Sequence, residues 1–394
     1  MEKMDFSGKT PWENVTLKDA KLKLRTLTET KGSTGYVDLA ENIIDKVMEF
    51  LKSLMEMLGI KFAPWTVPRG RRLQTLAAAG WISLMLCGEL LSMALFVLII
   101  RTDYYWIMVL YAIIIARNRD HCNFGAKSWS WVRNWSWWQY FRDYFPMKLV
   151  KTHELDPSRN YLLCVFPHGV LCTGAFGSFA TEALGFSDIF PGMTPHMLIL
   201  GGHFMVPFFR ELLSWLGMCS ASAQSISYLL DREKGAGRCA ALLVGGAAES
   251  LNCHSGEYRV VLKNRRGFVK LALQNGAPLV PVISFGEVEL YEQVTNPAGS
   301  RVRRVQEWVK RVSGIAPVMP LGRGVLQYTV GVVPQRHPIV TVVGKPIEVE
   351  LNLTPSPEQI DRLHADFTKE LIDMFEREKH KYITNAKATH LIID

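Results

Sequence analysis

The absences in this chain narrow its possibilities first. Its seven cysteines (87, 122, 164, 172, 219, 239 and 253) form no C-x-x-C pair and no regular framework, which excludes a zinc ribbon or a disulfide scaffold. There is no G-x-S-x-G elbow, so a serine hydrolase of that design has no nucleophile. There is no G-x-x-x-x-G-K-S/T loop either, which removes a P-loop nucleotide enzyme. The ten histidines are too scattered for a metal motif, and no metal is expected. The net charge of +8 comes without basic tracts interleaved with aromatics and without an RNA-binding signature, so nucleic acid is set aside as a partner. That charge suits an anionic membrane surface or a phosphate-bearing cofactor. The first residues are charged and lack an apolar core, so no cleavable signal peptide is expected. Cysteines placed in apolar runs behave as small hydrophobes and point to the reducing, cytosolic side. The sequons at Asn14, Asn134 and Asn352 would then go unused.

What the 394 residues do contain is apolar surface, 48% of the chain, unevenly spread. Residues 1–68 form an extension whose first 36 or so positions are polar. Over 37–58 the positions Ile43, Ile44, Val47, Phe50, Leu51, Leu54 and Leu58 recur at helical spacing, which predicts an amphipathic helix lying on a membrane or on the protein body. A hydrophobic hairpin is expected over 69–120. Residues 75–100 are a nearly unbroken apolar run, enough to cross a hydrocarbon core of about 30 Å. Arg101-Thr102-Asp103 interrupts it and a shorter run, 104–116, follows, short for a full span and so open to a re-entrant wedge. Arg69, Arg71 and Arg72 precede the hairpin while Arg117 and Arg119 follow it, which puts both flanks in the cytosol. An ionised Glu89 inside the first leg would cost roughly 2.5 kcal/mol or more, so it is expected to be protonated or to face the other leg.

From 121 to 394 the chain reads as one cytosolic catalytic domain. Residues 127–145 are dense in tryptophan, tyrosine and phenylalanine, with Lys127, Arg133 and Arg142 between them. Such a segment suits either a membrane interface or ordinary packing. Strands are expected over 161–166, 240–244, 258–262, 278–284 and 339–343, with helical stretches such as 207–216 and 267–274 between them. That alternation argues for an α/β fold, a mixed sheet with flanking helices. Ser356-Pro357-Glu358-Gln359 is a capping box that starts a final helix, with Ile360, Leu363, Phe367, Leu371 and Met374 as its buried stripe.

The chemistry points to Pro167-His168-Gly169, which ends the 161–166 strand. Proline stops pairing and glycine clears the space beside the imidazole, so His168 is presented at a strand end as a base. A second glycine turn, Gly245-Gly246-Ala247-Ala248-Glu249, follows the 240–244 strand. Its backbone admits a close ligand, and Glu249 is placed to orient His168 or to bind a hydroxyl. His203 is a second candidate base and His196 a structural or substrate-lining residue. Basic clusters at Lys263, Arg265, Arg266 and Lys270, and at Arg301, Arg303, Arg304, Lys310 and Arg311, are candidate phosphate or headgroup contacts.

Seven ordered blocks carry a resemblance: Tyr144-Phe145-Pro146, Pro167-His168-Gly169, Pro207-Phe208-Phe209-Arg210-Glu211, Gly245-Gly246-Ala247-Ala248-Glu249, Arg266-Gly267-Phe268-Val269-Lys270, Phe285-Gly286-Glu287 and Val343-Gly344-Lys345-Pro346. From about Arg69 onward the chain resembles the type 2 diacylglycerol acyltransferase family, which includes monoacylglycerol and wax alcohol acyltransferases. The resemblance implies acyl transfer from acyl-CoA, a co-substrate rather than a cofactor, to the hydroxyl of mono- or diacylglycerol. It implies a multi-pass hairpin anchoring a cytosolic acyltransferase domain at the endoplasmic reticulum membrane or lipid droplet surface, and leaves homo-oligomerisation open. His168 maps onto the general base with Glu249 as its partner. Pro167, Gly169, Gly245, Gly246, Arg266 and Phe268 map onto the substrate site. The family motif usually reads His-Pro-His-Gly, and this chain has Phe166 in the first place. Thr173 stands where wider glycerolipid acyltransferases carry an acid, which again favours Glu249. The usual Gly-Gly-Arg before the aromatic segment is altered to Gly125-Ala126-Lys127. The rival readings are a wax ester synthase and a catalytically silent lipid-droplet protein.

Overall fold

The structure, a computed structural model, describes residues 59–64, 66–293, 299–314 and 317–394 together with isolated positions between 43 and 57. Of the amphipathic helix expected over 37–58, Ile43, Val47 and Phe50 are helical and exposed, and most of the remainder lies outside the described residues.

Seven strands form the main sheet: β1 (Lys148–Lys151), β2 (Tyr161–Phe166), β3 (Thr194–Ile199), β4 (Cys219–Ser220), β5 (Arg238–Leu243), β6 (Leu279–Phe285) and β7 (Val340–Val343). Their order is β1-β7-β6-β2-β5-β3-β4. Only the β7–β6 pairing is antiparallel. The fold is therefore α/β with a parallel-rich sheet, as expected. β2 lies between two parallel partners, β5 and β6. Every residue of Tyr-Leu-Leu-Cys-Val-Phe in it is buried, as a strand covered on both faces requires. The 258–262 expectation shrinks to Arg259–Val260, paired with Ile392–Ile393. Three strands, β1, β3 and the two-residue β4, were not legible in the sequence. β1 has lysines at both ends. β3 contains Pro195, which is tolerated because β4 pairs only with Leu198 and Ile199 and leaves that flank without a strand neighbour.

The helices that matter here are α1 (Arg69–Ile100), α2 (Tyr105–Arg117), α3 (Ser136–Tyr144), α4 (Phe209–Trp215), α5 (Gly246–Leu251), α6 (Gly267–Asn275), α7 (Arg301–Ser313) and α8 (Pro357–Tyr382). α8 begins with the expected capping box between Ser356 and Gln359. It buries Phe367, Leu371 and Met374, while Ile360 and Leu363 pack at the edge. Phe166, the residue in the family histidine's place, is fully buried with its ring 6.3 Å from that of Phe367. It is a core residue joining β2 to α8.

α1 and α2 form the hairpin, broken over residues 101–104. α1 has 32 residues and is long and apolar enough to cross a membrane, spanning about 48 Å at 1.5 Å per residue. α2 has 13 residues, about 20 Å of helix, which is short for a full crossing. The hairpin docks closely on the α/β body. A Cβ at Gly80 would come 2.7 Å from the Trp137 ring, and one at Gly88 would come 2.7 Å from Phe209. Glu89 neither faces α2 nor stands alone, since its carboxylate meets the imidazole of His203 in the body. Tyr111 of α2 donates to Glu211 at 2.5 Å and accepts from the Phe208 N–H at 2.9 Å. The aromatic segment divides between its two readings. Phe141, Tyr144 and Phe145 are fully buried, while Trp129, Trp131 and Trp137 are exposed.

Phe166→His places an imidazole among buried rings, where an unpaired polar group costs about 1–3 kcal/mol. We expect its thermal midpoint to fall by several degrees in detergent, with no gain in turnover over the parent.

Candidate active site

The parallel strands β2 and β5 are neighbours, so their carboxyl ends bring the His168 loop and the Gly245-Gly246 turn side by side. This edge of an open α/β sheet is where ligands usually bind. His168 is half-buried. Its Nδ1 lies 2.8 Å from the Ser250 hydroxyl and 3.2 Å from the Gly169 carbonyl oxygen. A carbonyl only accepts, so it selects the tautomer with the proton on Nδ1 and the lone pair on Nε2. No hydrogen bond to Nε2 occurs among the described residues. Burial lowers the His168 pKa below its ordinary value, against the opposing pull of the main-chain bond to Gly169.

Glu249 does meet His168, but through the main chain. One carboxylate oxygen accepts from the His168 N–H at 2.7 Å and the other from the Val261 N–H at 2.8 Å. The side chain is 1% exposed, and burial pushes its pKa up to about 8. Gly245 has no Cβ because one would run into that carboxyl. Gly246 adopts φ +56° with open space where a Cβ would point, so this turn needs glycine for conformation and leaves room for a ligand.

A second buried carboxylate holds the other end of the loop. Glu287 accepts from the N–H groups of Thr173 at 2.8 Å and Gly174 at 2.7 Å. It is 2% exposed, and burial pushes it up to about 7. Gly169, at φ +61°, passes directly over it, and a Cβ there would come 2.5 Å from the Glu287 Cγ. The carboxylate that Thr173 lacks is thus supplied beneath it by Glu287.

Pro167, His168, Gly169, Gly245, Gly246 and Glu249 come together. Arg266 and Phe268 do not join them. Arg266 bonds Asp361 at 2.5 Å and the Lys263 carbonyl, and Phe268 is buried with its ring 5.3 Å from that of Phe367. The basic residue that reaches the turn is Arg265, whose guanidinium donates to the Gly245 carbonyl at 3.3 Å. Sequence reasoning also passed over Ser250 and Glu287, although Ser250 adjoins Glu249 and Glu287 closes the Phe285-Gly286-Glu287 block. His196 is a packed residue bonded to the Gly217 carbonyl, with burial lowering its pKa to about 4. The Cys164 and Cys172 thiols are both pushed far up by burial, so neither is available as a thiolate.

With this geometry in view, the comparison with known proteins is direct. The family model described as "Diacylglycerol acyltransferase" matches residues 97–394. The chain belongs to that family. It is 43% identical to the 2-acylglycerol O-acyltransferase 1 of Bos taurus, over 82% of this chain and 97% of that protein. It is 42% identical to the diacylglycerol O-acyltransferase 2 of Dictyostelium discoideum, over 82% of this chain and 96% of the relative. For the diacylglycerol O-acyltransferase 2 of Danio rerio the identity is 41%, over 82% and 89%. A 1-acyl-sn-glycerophosphate acyltransferase structure from Thermotoga maritima covers 73% of this chain and 96% of its own, at 12% identity and a TM-score of 0.32.

Because both carboxyls are raised from 4.5 in the fold, the folded state keeps protons that the unfolded chain releases. Stability therefore falls as pH rises from about 4.5 towards 7 and 8. Between pH 6.5 and 8, where the lowered histidines are already neutral in the fold, the thermal midpoint should decline. Glu249→Gln should flatten that decline, and a flat parent profile would contradict the arrangement.

Proposed function

We propose that the chain transfers a fatty acyl group from acyl-CoA to the hydroxyl of mono- or diacylglycerol, giving di- or triacylglycerol, with His168 as general base. The reaction class follows from family membership, since relatives named 2-acylglycerol and diacylglycerol O-acyltransferases align over most of this chain. The role of His168 rests on one observation: Nδ1 is held by Ser250 and Gly169, while Nε2 has no partner among the described residues. In the step we infer, Nε2 takes the proton of the acceptor hydroxyl as its oxygen attacks the thioester carbonyl carbon. The C–S bond then breaks and the proton passes to the departing CoA sulfur. A direct transfer of this kind needs no protein nucleophile, in keeping with raised pKa values at Cys164 and Cys172. Main-chain N–H groups about Gly169 or Gly245-Gly246 are the candidate donors to the oxyanion, and the space beside Gly246 gives the carbonyl room. Glu249 and Glu287 act as positioning residues that fix the loop.

The proposed site of action is the cytosolic face of the endoplasmic reticulum membrane or a lipid droplet surface, with residues 69–120 as anchor and 121–394 as the catalytic domain. The support is physical. Leu90, Leu91 and Leu98 of α1 and Leu110, Ile113 and Ile114 of α2 are exposed, which water would penalise and lipid would not. α7 adds Val305, Trp308 and Val312 on an exposed face among Arg301, Arg304, Lys310 and Arg311, a pattern suited to an anionic interface.

Purified membranes given labelled oleoyl-CoA should form product from monoacylglycerol or diacylglycerol. His168→Ala should lose about 10²–10⁴-fold in turnover, the usual worth of a general base. Full activity in that variant would overturn the assignment, and product from a fatty alcohol alone would point to wax ester synthesis. Burial lowers the His168 pKa below its ordinary value of 6.5. The acid limb of kcat/KM should fall under that value, and a limb above it would count against His168.

A further inference from the structure

A cavity of about 370 Å³ opens where the first turns of α1 meet Ala63, Val67, Pro68 and the segment 323–336. Four guanidinium groups line it, those of Arg71, Arg72, Arg323 and Arg336. Such a gathering of like charge is unfavourable unless something neutralises it. The contacts of three of these residues supply no neutralising charge. Arg323 is buried, donates to the Gly324 carbonyl at 3.3 Å and lies 4.4 Å over the Tyr328 ring. Arg336 donates to Gln74 at 2.6 Å and lies 4.3 Å over the Tyr144 ring. Among the described residues no ion pair engages Arg71, Arg323 or Arg336. Consistent with that, burial first and then the charge of Arg71 pull the Arg336 guanidinium below its ordinary value.

Amide, carbonyl and ring partners hold the Arg323 and Arg336 stems in place and leave the charge of those two uncompensated. Planar guanidinium forks held this way match the oxygens of a phosphate, which they engage in pairs. The remaining walls include Val67, Leu76, Val325 and Leu326. The cavity therefore joins a cationic floor to apolar sides, as an amphiphile's phosphate requires. Arg71 and Arg72 lie on the first turn of α1, just before its apolar run, a depth our functional reading places at the headgroup layer.

We propose that the Arg71–Arg72–Arg323–Arg336 cavity is a phosphate-binding site for an amphiphile at the membrane surface. The same chemistry has two sources, the headgroup of an anionic phospholipid and the phosphates of a CoA thioester. The site is separate from the His168 loop, and its occupancy is read by binding alone, so failure of the acyl-transfer reading would not touch it.

The test uses the full chain carrying His168→Ala in phosphatidylcholine nanodiscs. Binding of CoA is followed by calorimetry. In a parallel arm, the same protein is titrated with vesicles of phosphatidylcholine alone or with one-tenth phosphatidic acid. Arg71→Gln with Arg336→Gln should weaken one of the two ligands at least tenfold and flatten its salt dependence. Arg336→Lys should recover part of that loss, and Arg377→Gln, an exposed arginine on α8, should leave both unchanged. Loss confined to CoA assigns the site to the donor, and loss confined to phosphatidic acid assigns it to a headgroup. If the double variant keeps its parent's thermal midpoint and binds both ligands as the parent does, the proposal is wrong. If the double variant unfolds, Arg71→Gln alone, at an exposed position, decides by the same criterion.

Discussion

The Glu249 carboxyl group joins two separate pieces of main chain. One oxygen takes the N–H of His168 at the end of β2, and the other takes that of Val261 beside the strand Arg259–Val260. Each amide would otherwise be an orphan in a place without water, at a cost of about 1–3 kcal/mol. The geometry of the turn follows from this one group. Gly245 must lack a Cβ to admit the carboxyl, and α5 must begin at once so that Glu249 falls in its first turn. Ser250, the next residue, is thereby aimed at the imidazole. The loop cannot move without abandoning a buried hydrogen bond, a fixity that the proposed role of His168 as a positioned base would require.

Glu287 extends the same logic to the far end of the loop, and the hairpin extends it outward. Gly80 and Gly88 let α1 approach Trp137 and Phe209 to distances that any Cβ would forbid. Polar pairs then lock the two bodies together, Glu89 with His203 and Tyr111 with Glu211. Separating the hairpin from the body would break both contacts at once. On the proposed function, an acceptor whose chains stay in lipid would thus meet a sheet edge held at a fixed place relative to the hairpin.

The sequence made β2, β5, β6 and α8 legible because each carries a strong local signal: a closed apolar run, a glycine turn or a capping box. It hid β1 and β3, whose lysines and proline fit only when the neighbours are known. The site was legible to the same depth. His168 and Glu249 followed from strand ends, but their relation did not, because spacing cannot distinguish a bond to a ring from one to an amide. Arg266 was favoured over Arg265 on its block alone. In the fold, the turn before α6 directs Arg265 to Gly245 and Arg266 to Asp361. The cationic cavity was unreadable for a simpler reason, since its arginines lie about 250 residues apart.

The division of labour among acids bears on the chemistry itself. A carboxylate against Nδ1 would stabilise the imidazolium and raise the pKa of the base. Here the ring meets a hydroxyl and a carbonyl instead, and both nearby carboxylates are committed to main-chain amides. The base is therefore weaker than a carboxylate-paired histidine but neutral over a wider range of pH. That would suit the proposed attack on a thioester, whose thiolate leaving group departs readily and asks less of a base than an amide or an ester would. Phe166 fits the same design. A second imidazole at the end of β2 would bring a titratable group into the packing against Phe367, whereas a phenyl ring fixes the strand there without one.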